Sequence, residues 1–133
     1  MKPLQSILLV EDDPDIREIA QMTLEALGGY QVAVAASGLE ALAIALNTAP
    51  DLVLMDYMMP GMDGGQVLAG LREMPTLAQT PVVFLTAKVR PEEVDRLKSM
   101  GAVDVIAKPF EPTELPVKLE AIWAAKAKSI ANS

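Results

Sequence analysis

Short runs of apolar residues alternate along the chain with longer segments in which apolar residues recur at helical spacing. The runs occupy residues 7–10, 32–36, 52–55, 82–85 and 103–107. Uninterrupted apolar runs of this length, bounded by turn or charged residues, are typical of strands buried on both faces of a parallel sheet. The alternation predicts an α/β fold with five parallel strands and five flanking helices.

Residues that favour helix ends support these helices. Asp13 precedes Pro14 at the start of the first helix, Ser37 precedes the second and Asp63 precedes the third. Short polar side chains in this position accept hydrogen bonds from the free N–H groups of a first helical turn, and proline is well tolerated there. We therefore expect Asp13, Ser37 and Asp63 to be N-caps.

The last two helices have weaker patterns. The fourth, over residues 91–100, is only weakly amphipathic, which indicates a mobile element. The fifth begins near Pro112 or Thr113, and we expect it to fray after Trp123 into a tail rich in lysine, alanine and serine.

Composition narrows the possible functions. The chain has 133 residues, 51% of them hydrophobic, which suits one globular domain. Its formal net charge of -7 is the wrong sign for neutralising phosphates, so we expect no direct contact with nucleic acid. The chain has no cysteine and no histidine, which excludes a thiol nucleophile, a Ser/His/Asp triad and a zinc site of the usual ligands within it.

The start of the sequence resembles neither a signal peptide nor a membrane anchor. Only four consecutive apolar residues, 7–10, precede the acidic Glu11. The sequence therefore predicts a cytoplasmic protein without membrane contact.

Chemically useful side chains follow four of the five predicted strands. They are Glu11, Asp12 and Asp13 after the first, Asp56 after the third, Thr86 and Ala87 after the fourth, and Lys108 and Pro109 after the fifth. In an open α/β sheet, ligands bind beyond the carboxyl ends of the strands. The topology therefore brings acids, a hydroxyl and an ammonium group to one edge of the sheet.

Each of these residues also has an ordinary explanation on its own. Acids complement the positive end of a helix, Asp56 can satisfy N–H groups in a turn, and Lys108 can be a solvated surface residue. Their common location favours a site: clustered carboxylates suit Mg²⁺, and a nearby carboxylate, hydroxyl and lysine suit phosphoryl transfer. Because the chain lacks a Gly-rich phosphate loop of the GxxxxGK[ST] type, ATP is disfavoured as the donor.

Four motifs carry a resemblance to a known family. ILLVEDDP, LVLMDYMMPGMDG, PVVFLTA and GAVDVIAKPF occur in that order, and the sequence resembles the receiver domain of two-component response regulators from residue 7 to about residue 123. The resemblance implies a flavodoxin-like, doubly wound sheet of strand order 2-1-3-4-5, an order that is known for the chemotaxis member of the family. It also implies a single receiver domain over residues 1–133, with a core of about 5–124 and a tail of 125–133.

The resemblance assigns roles to the acids. Asp56 resembles the phosphoacceptor and Asp12 the direct carboxylate ligand of Mg²⁺. Glu11 resembles the family's second acid, which acts on the metal largely through water. The backbone carbonyl of Met58 completes the implied set of protein ligands, so that the expected metal site consists of Glu11, Asp12, Asp56 and Met58.

The resemblance also assigns a group of switch residues. Thr86 resembles the hydroxyl that binds the phosphoryl group, Ala87 the small residue that leaves room for it, and Lys108 its ion-pair partner. Lys108–Pro109 resembles the family's cis peptide. One position departs from the pattern, because Val105 stands where the family usually has an aromatic switch residue; we expect damped or differently routed output.

The implied function is a signalling switch rather than an enzyme acting on other molecules. A histidine kinase or a histidine phosphotransfer protein would donate a phosphoryl group to Asp56. A downstream protein would then recognise the face formed by the fourth helix, fifth strand and fifth helix. The resemblance further suggests a monomer or weak dimer.

Two other functions remain open on the sequence. One is an adaptor that docks partners without being phosphorylated, although the complete set of site residues argues against it. The other is a Mg²⁺-dependent phosphatase resembling the haloacid dehalogenase family. Those enzymes carry a second aspartate two residues after the nucleophile, and Met58 occupies that position here.

Overall fold

The structure, a computed structural model, describes residues 2–131 and alternates strands with helices along the chain. The strands are β1 (Ser6–Val10), β2 (Gln31–Ala35), β3 (Leu52–Asp56), β4 (Val82–Thr86) and β5 (Asp104–Ala107). The helices are α1 (Pro14–Ala26), α2 (Gly38–Thr48), α3 (Gly64–Arg72), α4 (Pro91–Ser99) and α5 (Leu115–Ala131). Short 3-10 helices at Pro75–Leu77 and Pro112–Glu114 precede β4 and α5.

All neighbouring strands of the sheet pair in parallel. The strand order is 2-1-3-4-5, which confirms the predicted α/β fold and its topology. The carboxyl ends of the central strands are level, since Val10 pairs with Met55 and Asp56 pairs with Leu85. Residues that follow these strands therefore meet at one edge of the sheet.

Two separate apolar layers explain why the strands are continuous apolar runs. Successive side chains of β3 point to opposite faces: Val53 and Met55 pack with residues of α2, α3 and α4, whereas Leu52 and Leu54 pack with residues of α1 and α5. Since both faces are covered, no strand position on β3 is left for a polar residue until Asp56 at its end. Burial on both sides also fixes the register, and thereby the position of the strand ends.

The three predicted N-caps are confirmed. The Asp13 carboxylate and the Ser37 hydroxyl accept hydrogen bonds from backbone N–H groups in the first turns of α1 and α2. Asp63 forms a reciprocal capping box with Gln66, in which each side chain bonds the other residue's backbone N–H. The cap at Asp63 fixes where α3 begins after the loop that follows β3.

The prediction that the last helix frays after Trp123 is wrong. α5 continues to Ala131, because the segment after Trp123 is rich in alanine and lysine, which have high helix propensity. The Trp123 indole N–H also donates to the backbone oxygen of Lys2, at 2.9 Å, and ties the middle of α5 to the start of the chain. Residues 132–133 of the predicted tail lie outside the described residues.

The prediction that the fourth helix is weakly amphipathic is wrong: α4 is polar overall, but its few apolar residues are segregated from its polar ones. Of the nine residues of α4, all of them described, Leu97 is the one that is buried. The mobility of α4 stays a prediction.

Within residues 2–131, no helix has both the length and the apolar character that a membrane span requires.

Asp51 fastens the first strand at the edge of the sheet opposite the acidic cluster. Its Oδ2 accepts hydrogen bonds of 3.0 Å from the backbone N–H groups of Gln5 and Ser6, and its Oδ1 lies 2.8 Å from Lys2 Nζ. Burial raises the pKa of Asp51, but the Lys2 ammonium and the two N–H groups outweigh it and hold the pKa below the ordinary 3.8.

We expect Asp51→Asn to lower the free energy of unfolding by about 1 kcal/mol at neutral pH, because charge-assisted hydrogen bonds become neutral ones. A carboxyl with a lowered pKa stabilises the fold above its unfolded pKa and loses that contribution as the pH falls through the folded value. The difference between wild type and variant should therefore shrink once the pH drops below 3.8. Urea unfolding at neutral and acidic pH measures both; a constant difference would contradict the assignment.

Candidate functional site

Three acidic residues from two neighbouring strands meet at the carboxyl edge of the sheet. Glu11 and Asp12 follow β1, and Asp56 ends β3, the strand paired with β1. Each offers one carboxylate oxygen, and these oxygens all lie within 4.8 Å of one another. Glu11 and Asp56 are buried and Asp12 is partly exposed, so the cluster opens to solvent on the side of Asp12.

Lys108 lies between two of these acids. Its Nζ is 3.1 Å from Glu11 Oε1 and 3.2 Å from Asp56 Oδ2. Its backbone N–H donates to the Thr86 carbonyl, at 2.9 Å, and its peptide bond to Pro109 is cis, as the resemblance implied. The loop after β5 thus brings a cation to carboxylates carried by β1 and β3.

The cluster changes the acidity of its members. Burial raises the pKa of Glu11 to about 7, and the nearby charge of Asp56 adds to this effect, whereas the bond to Lys108 opposes it. Burial lowers the pKa of the Lys108 ammonium, but its bond to Glu11 and the charge of Asp56 outweigh burial and raise that pKa. Lys108 therefore remains charged. Its single positive charge offsets only part of the negative charge that the three carboxylates can carry.

The donor set fits a hard divalent cation. Among residues 2–131, Glu11 Oε2 is a buried side-chain oxygen without a hydrogen-bond partner. An orphaned carboxylate oxygen beside two further carboxylates is a place where additional positive charge is favourable, and ligands that are all oxygen suit Mg²⁺. Glu11, Asp12 and Asp56 could hold such an ion.

The loop after β3 orients the Asp56 carboxylate at the edge of the sheet. The Met58 N–H donates to Asp56 Oδ1, at 3.2 Å, which orients the carboxylate. The Met58 side chain is exposed. The Tyr57 N–H donates to the Leu85 carbonyl and the Tyr57 carbonyl accepts from the Gly64 N–H, so hydrogen bonds restrain the backbone on both sides of Tyr57.

The predicted hydroxyl lies at the end of the adjacent strand. Thr86 is buried and follows Leu85, the residue paired with Asp56, and its Oγ1 accepts a hydrogen bond from the Lys88 N–H, at 3.2 Å. Ala87 is exposed and lines an open cleft of about 530 Å³ together with Lys88, Val89, Arg90 and Glu93. Small size at Ala87 leaves space beside the strand end.

Val105 is a partly buried strand residue. It pairs in register with Phe84 and packs against the apolar layer that contains α2, α3 and α4. If phosphorylation at the site changes α4 by a different route, as predicted, side chains other than Val105 must connect the site to that helix.

Two arginines near the site are not identified from the sequence. Arg17, the one basic residue of α1, donates from its guanidinium to the Glu11 carbonyl at 2.8 Å and so braces the acidic loop. Arg96 of α4 contacts the ring of Tyr57, the residue after Asp56. The position of Arg17 one turn after the acidic run is a usable sequence signal, whereas the contact between Arg96 and Tyr57 depends on the fold.

Comparison with known families decides the classification. The profile of the response regulator receiver domain family matches residues 7–120. The chain belongs to this family. Receiver domains are signalling switches of two-component systems, and a phosphoacceptor role is general to them.

Solved receiver domains have the same fold. The chemotaxis protein CheY4 of Vibrio cholerae is 34% identical, with a TM-score of 0.84 over 90% of this chain and 98% of that one. A response regulator from Chloroflexus aurantiacus is 36% identical, with a TM-score of 0.81 over 92% and 99%.

The chain spans about half the length of the curated relatives it matches. It is 35% identical to the phosphate regulon transcriptional regulatory protein PhoB of Pseudomonas aeruginosa, over 89% of this receiver domain and 51% of that protein. It is 39% identical to the DNA-binding response regulator MtrA of Mycolicibacterium smegmatis, over 88% and 50%. Because relatives include DNA-binding regulators, the absence of direct nucleic-acid contact stays a prediction for this chain.

Proposed function

We propose that this receiver domain accepts a phosphoryl group on Asp56 from a phosphohistidine of a histidine kinase or a histidine phosphotransfer protein. The observation that carries the proposal is the placement of Asp56 at the end of a buried strand, with its carboxylate bonded to Lys108 Nζ and within 4.8 Å of Glu11 and Asp12. A carboxylate held in this way is oriented for attack, lies beside the solvent-facing Asp12, and has an ammonium group and two further carboxylates around it.

The transfer step forms one bond and breaks one. A carboxylate oxygen of Asp56 attacks the phosphorus, and the bond between phosphorus and the donor's imidazole nitrogen breaks. The imidazole leaves with the electron pair and takes up a proton from solvent. The product is an aspartyl phosphate, an acyl phosphate with added negative charge at the edge of the sheet.

The residues around Asp56 have separate roles in orienting the carboxylate and in binding the transferred phosphoryl group. The Met58 N–H and Lys108 hold the carboxylate in position for attack. Lys108 then pairs with the transferred group, Thr86 donates its hydroxyl proton to a phosphoryl oxygen, and the small Ala87 leaves room for that oxygen. Phosphoryl transfer is mainly a matter of positioning and charge stabilisation, so this set is sufficient without a general base.

Mg²⁺ fits the acidic cluster. Glu11, Asp12, Asp56 and the backbone carbonyl of Met58 would hold it, with Glu11 acting largely through water. Once bound, the ion would offset negative charge on the phosphoryl oxygens. Arg17 supports the ligand set because it bonds the Glu11 carbonyl and limits the movement of the acidic loop.

We also propose that phosphorylation changes a protein-binding surface. Thr86 and Lys108 begin the segments that lead into α4 and follow β5, so movement toward a phosphoryl group would shift the face of α4, β5 and α5. A downstream protein would recognise that face. Family membership favours this switch over a phosphatase, and the exposed Met58 supplies no carboxylic acid for phosphatase chemistry.

Intact-mass spectrometry after incubation with acetyl phosphate tests the phosphoacceptor. We expect one phosphoryl adduct on the wild type that requires Mg²⁺ and is lost in Asp56→Asn. Asp13→Asn is the matched control, since it removes a neighbouring acid while asparagine still caps α1. It should retain the adduct.

Two results would count against the proposal. An adduct that persists in Asp56→Asn would show that another residue accepts the phosphoryl group. A folded wild-type protein that binds Mg²⁺ but takes no adduct would favour an adaptor that acts without phosphorylation.

A further inference from the structure

Tyr57 connects β3, the strand that ends in Asp56, to Arg96 of α4. It directly follows Asp56, and its ring meets the Phe84 ring edge-to-face, with centroids 5.3 Å apart and an interplanar angle of 77°. Phe84 is fully buried in β4. The Tyr57 ring therefore has a rigid support on one side and faces α4 on the other.

Arg96 of α4 contacts this ring in two ways. Its Cζ lies 5.4 Å from the centroid of Tyr57, within the range of a cation–π interaction, and one guanidinium nitrogen is 3.2 Å from the Tyr57 hydroxyl oxygen. A second nitrogen is 3.2 Å from Glu93 Oε2, one turn earlier on the same helix. The guanidinium thus has a partner on each of two sides.

Few other contacts hold α4 in place. Its one buried residue is Leu97, and Arg90 before its first turn offers no side-chain cap, as far as residues 2–131 show. An element with little buried apolar surface shifts at low free-energy cost. The contact between Tyr57 and Arg96 therefore stands beside buried Leu97 and the Lys98–Asp104 ion pair as one of the contacts that position α4.

We propose that the pair Tyr57–Arg96 carries the phosphorylation state of Asp56 to α4. This inference rests on the proposed function and names a route for its output. Val105 supplies no aromatic ring for this purpose, whereas Tyr57 supplies one that is adjacent in the chain to the phosphoacceptor.

The route begins at the carboxylate. Asp56 Oδ1 accepts the Met58 N–H, which belongs to the peptide after Tyr57. A phosphoryl group on either oxygen converts the carboxylate into an acyl phosphate, which weakens one charged acceptor and adds others nearby. The peptide between Tyr57 and Met58 adjusts, the ring of Tyr57 tilts against Phe84, and Arg96 moves with it. Such coupling requires α4 to occupy a second position when Asp56 is phosphorylated, and the proposal includes that second position.

Two substitutions isolate the contact. Arg96→Gln removes both the cation–π interaction and the charge near the hydroxyl, whereas Tyr57→Phe removes only the hydrogen bond. Lys98→Gln is the matched control, since it removes an equal charge from α4 and breaks a 3.7 Å ion pair with Asp104 but leaves Tyr57 untouched. The probe is beryllofluoride with Mg²⁺, a stable analogue of the phosphoryl group, and the measurement is the amide chemical-shift change over residues 91–99.

In the wild type and in Lys98→Gln we expect a clear change in the α4 amides. In Arg96→Gln that change should shrink by about fivefold, a modest coupling between sites, and in Tyr57→Phe by less. Intact mass after acetyl phosphate should show equal adducts in all four proteins. An undiminished α4 response in Arg96→Gln, or none in the wild type despite a normal adduct, would overturn the coupling alone. A wild type without an adduct would overturn the proposed function and the coupling together.

Discussion

Replacement of Lys108 by methionine is expected to lower the free energy of unfolding by about 3 kcal/mol in metal-free protein at neutral pH. Lys108 Nζ contacts both Glu11 and Asp56, and these side chains are almost completely buried, with exposures of 1% and 7%. Removal of one partner from a buried ion pair costs about 3–5 kcal/mol, and proton uptake by Glu11, whose pKa is already raised to about 7, keeps the expected loss at the lower end of that range. Methionine retains the unbranched apolar stem and lacks only the terminal ammonium group, so the loss reports mainly charge rather than packing.

A second ion pair offers a control for this prediction. Lys98 and Asp104 lie 3.7 Å apart with exposures of 47% and 40%, and such surface pairs contribute about 0–1 kcal/mol. Lys98→Met should therefore change stability by less than Lys108→Met. Urea unfolding of both variants measures the difference, and equal losses would contradict the role of Lys108.

Mg²⁺ extends the test. Saturating Mg²⁺ should restore much of the stability of Lys108→Met, because the ion brings positive charge to the same carboxylates. The increase in melting temperature on addition of Mg²⁺ should thus be larger in Lys108→Met than in the wild type. No increase in either protein would show that the acidic cluster does not bind the ion.

The fold was predictable because its determinants are local. The five apolar runs are confirmed as strands to within one residue at each end, since burial on both faces removes polar residues from them. Asp13, Ser37 and Asp63 mark helix starts through hydrogen bonds to the nearest turn, and these depend only on nearby sequence. The predicted fraying of α5 after Trp123 is wrong, because the alanine- and lysine-rich segment that follows has high helix propensity and continues the helix to Ala131.

The candidate site was predictable only in outline. Parallel topology places the ends of β1, β3, β4 and β5 at one edge, so the residues there could be identified before any distance was known. The burial of Glu11 and its raised pKa depend on how tightly the edge closes. The contact of Tyr57 with Arg96 joins residues 39 positions apart without any periodic pattern, so only the packed structure reveals it.

Replacement of Gly64, which packs against Tyr57 and Phe84, is expected to destabilise the fold. A Cβ atom on Gly64 would lie 2.7 Å from Phe84 Cε1 and 3.0 Å from the backbone Cα of Tyr57. Both neighbours resist displacement, since Phe84 is fully buried and Tyr57 is restrained by hydrogen bonds to Leu85 and Gly64 itself. We expect Gly64→Ala to lower the free energy of unfolding by about 2 kcal/mol, a typical cost of overpacking.

The adjacent glycine separates crowding from the general effects of a methyl group in α3. At Gly65 the nearest atom to an added Cβ is the capping oxygen Asp63 Oδ1, at 3.3 Å, a contact that a movement of a few tenths of an ångström relieves without loss of the cap, and alanine is the better helix former. Gly65→Ala should therefore be close to neutral. If both variants unfold at the same urea concentration, crowding at Gly64 is not what restricts this position.

Gly64→Ala should also slow phosphorylation of Asp56. The atoms that crowd Gly64 belong to Tyr57, which directly follows Asp56, and to Phe84, which pairs with the residue before it. A displacement of Tyr57 moves the Met58 N–H that orients the Asp56 carboxylate. Small misplacements of reacting groups are costly, so the rate of adduct formation with acetyl phosphate should fall by about tenfold in Gly64→Ala and remain near the wild-type rate in Gly65→Ala. A stable Gly64→Ala protein with an unchanged rate would mean that the loop after β3 tolerates movement without loss of function. The close approach of α3 to Tyr57 would then serve packing alone.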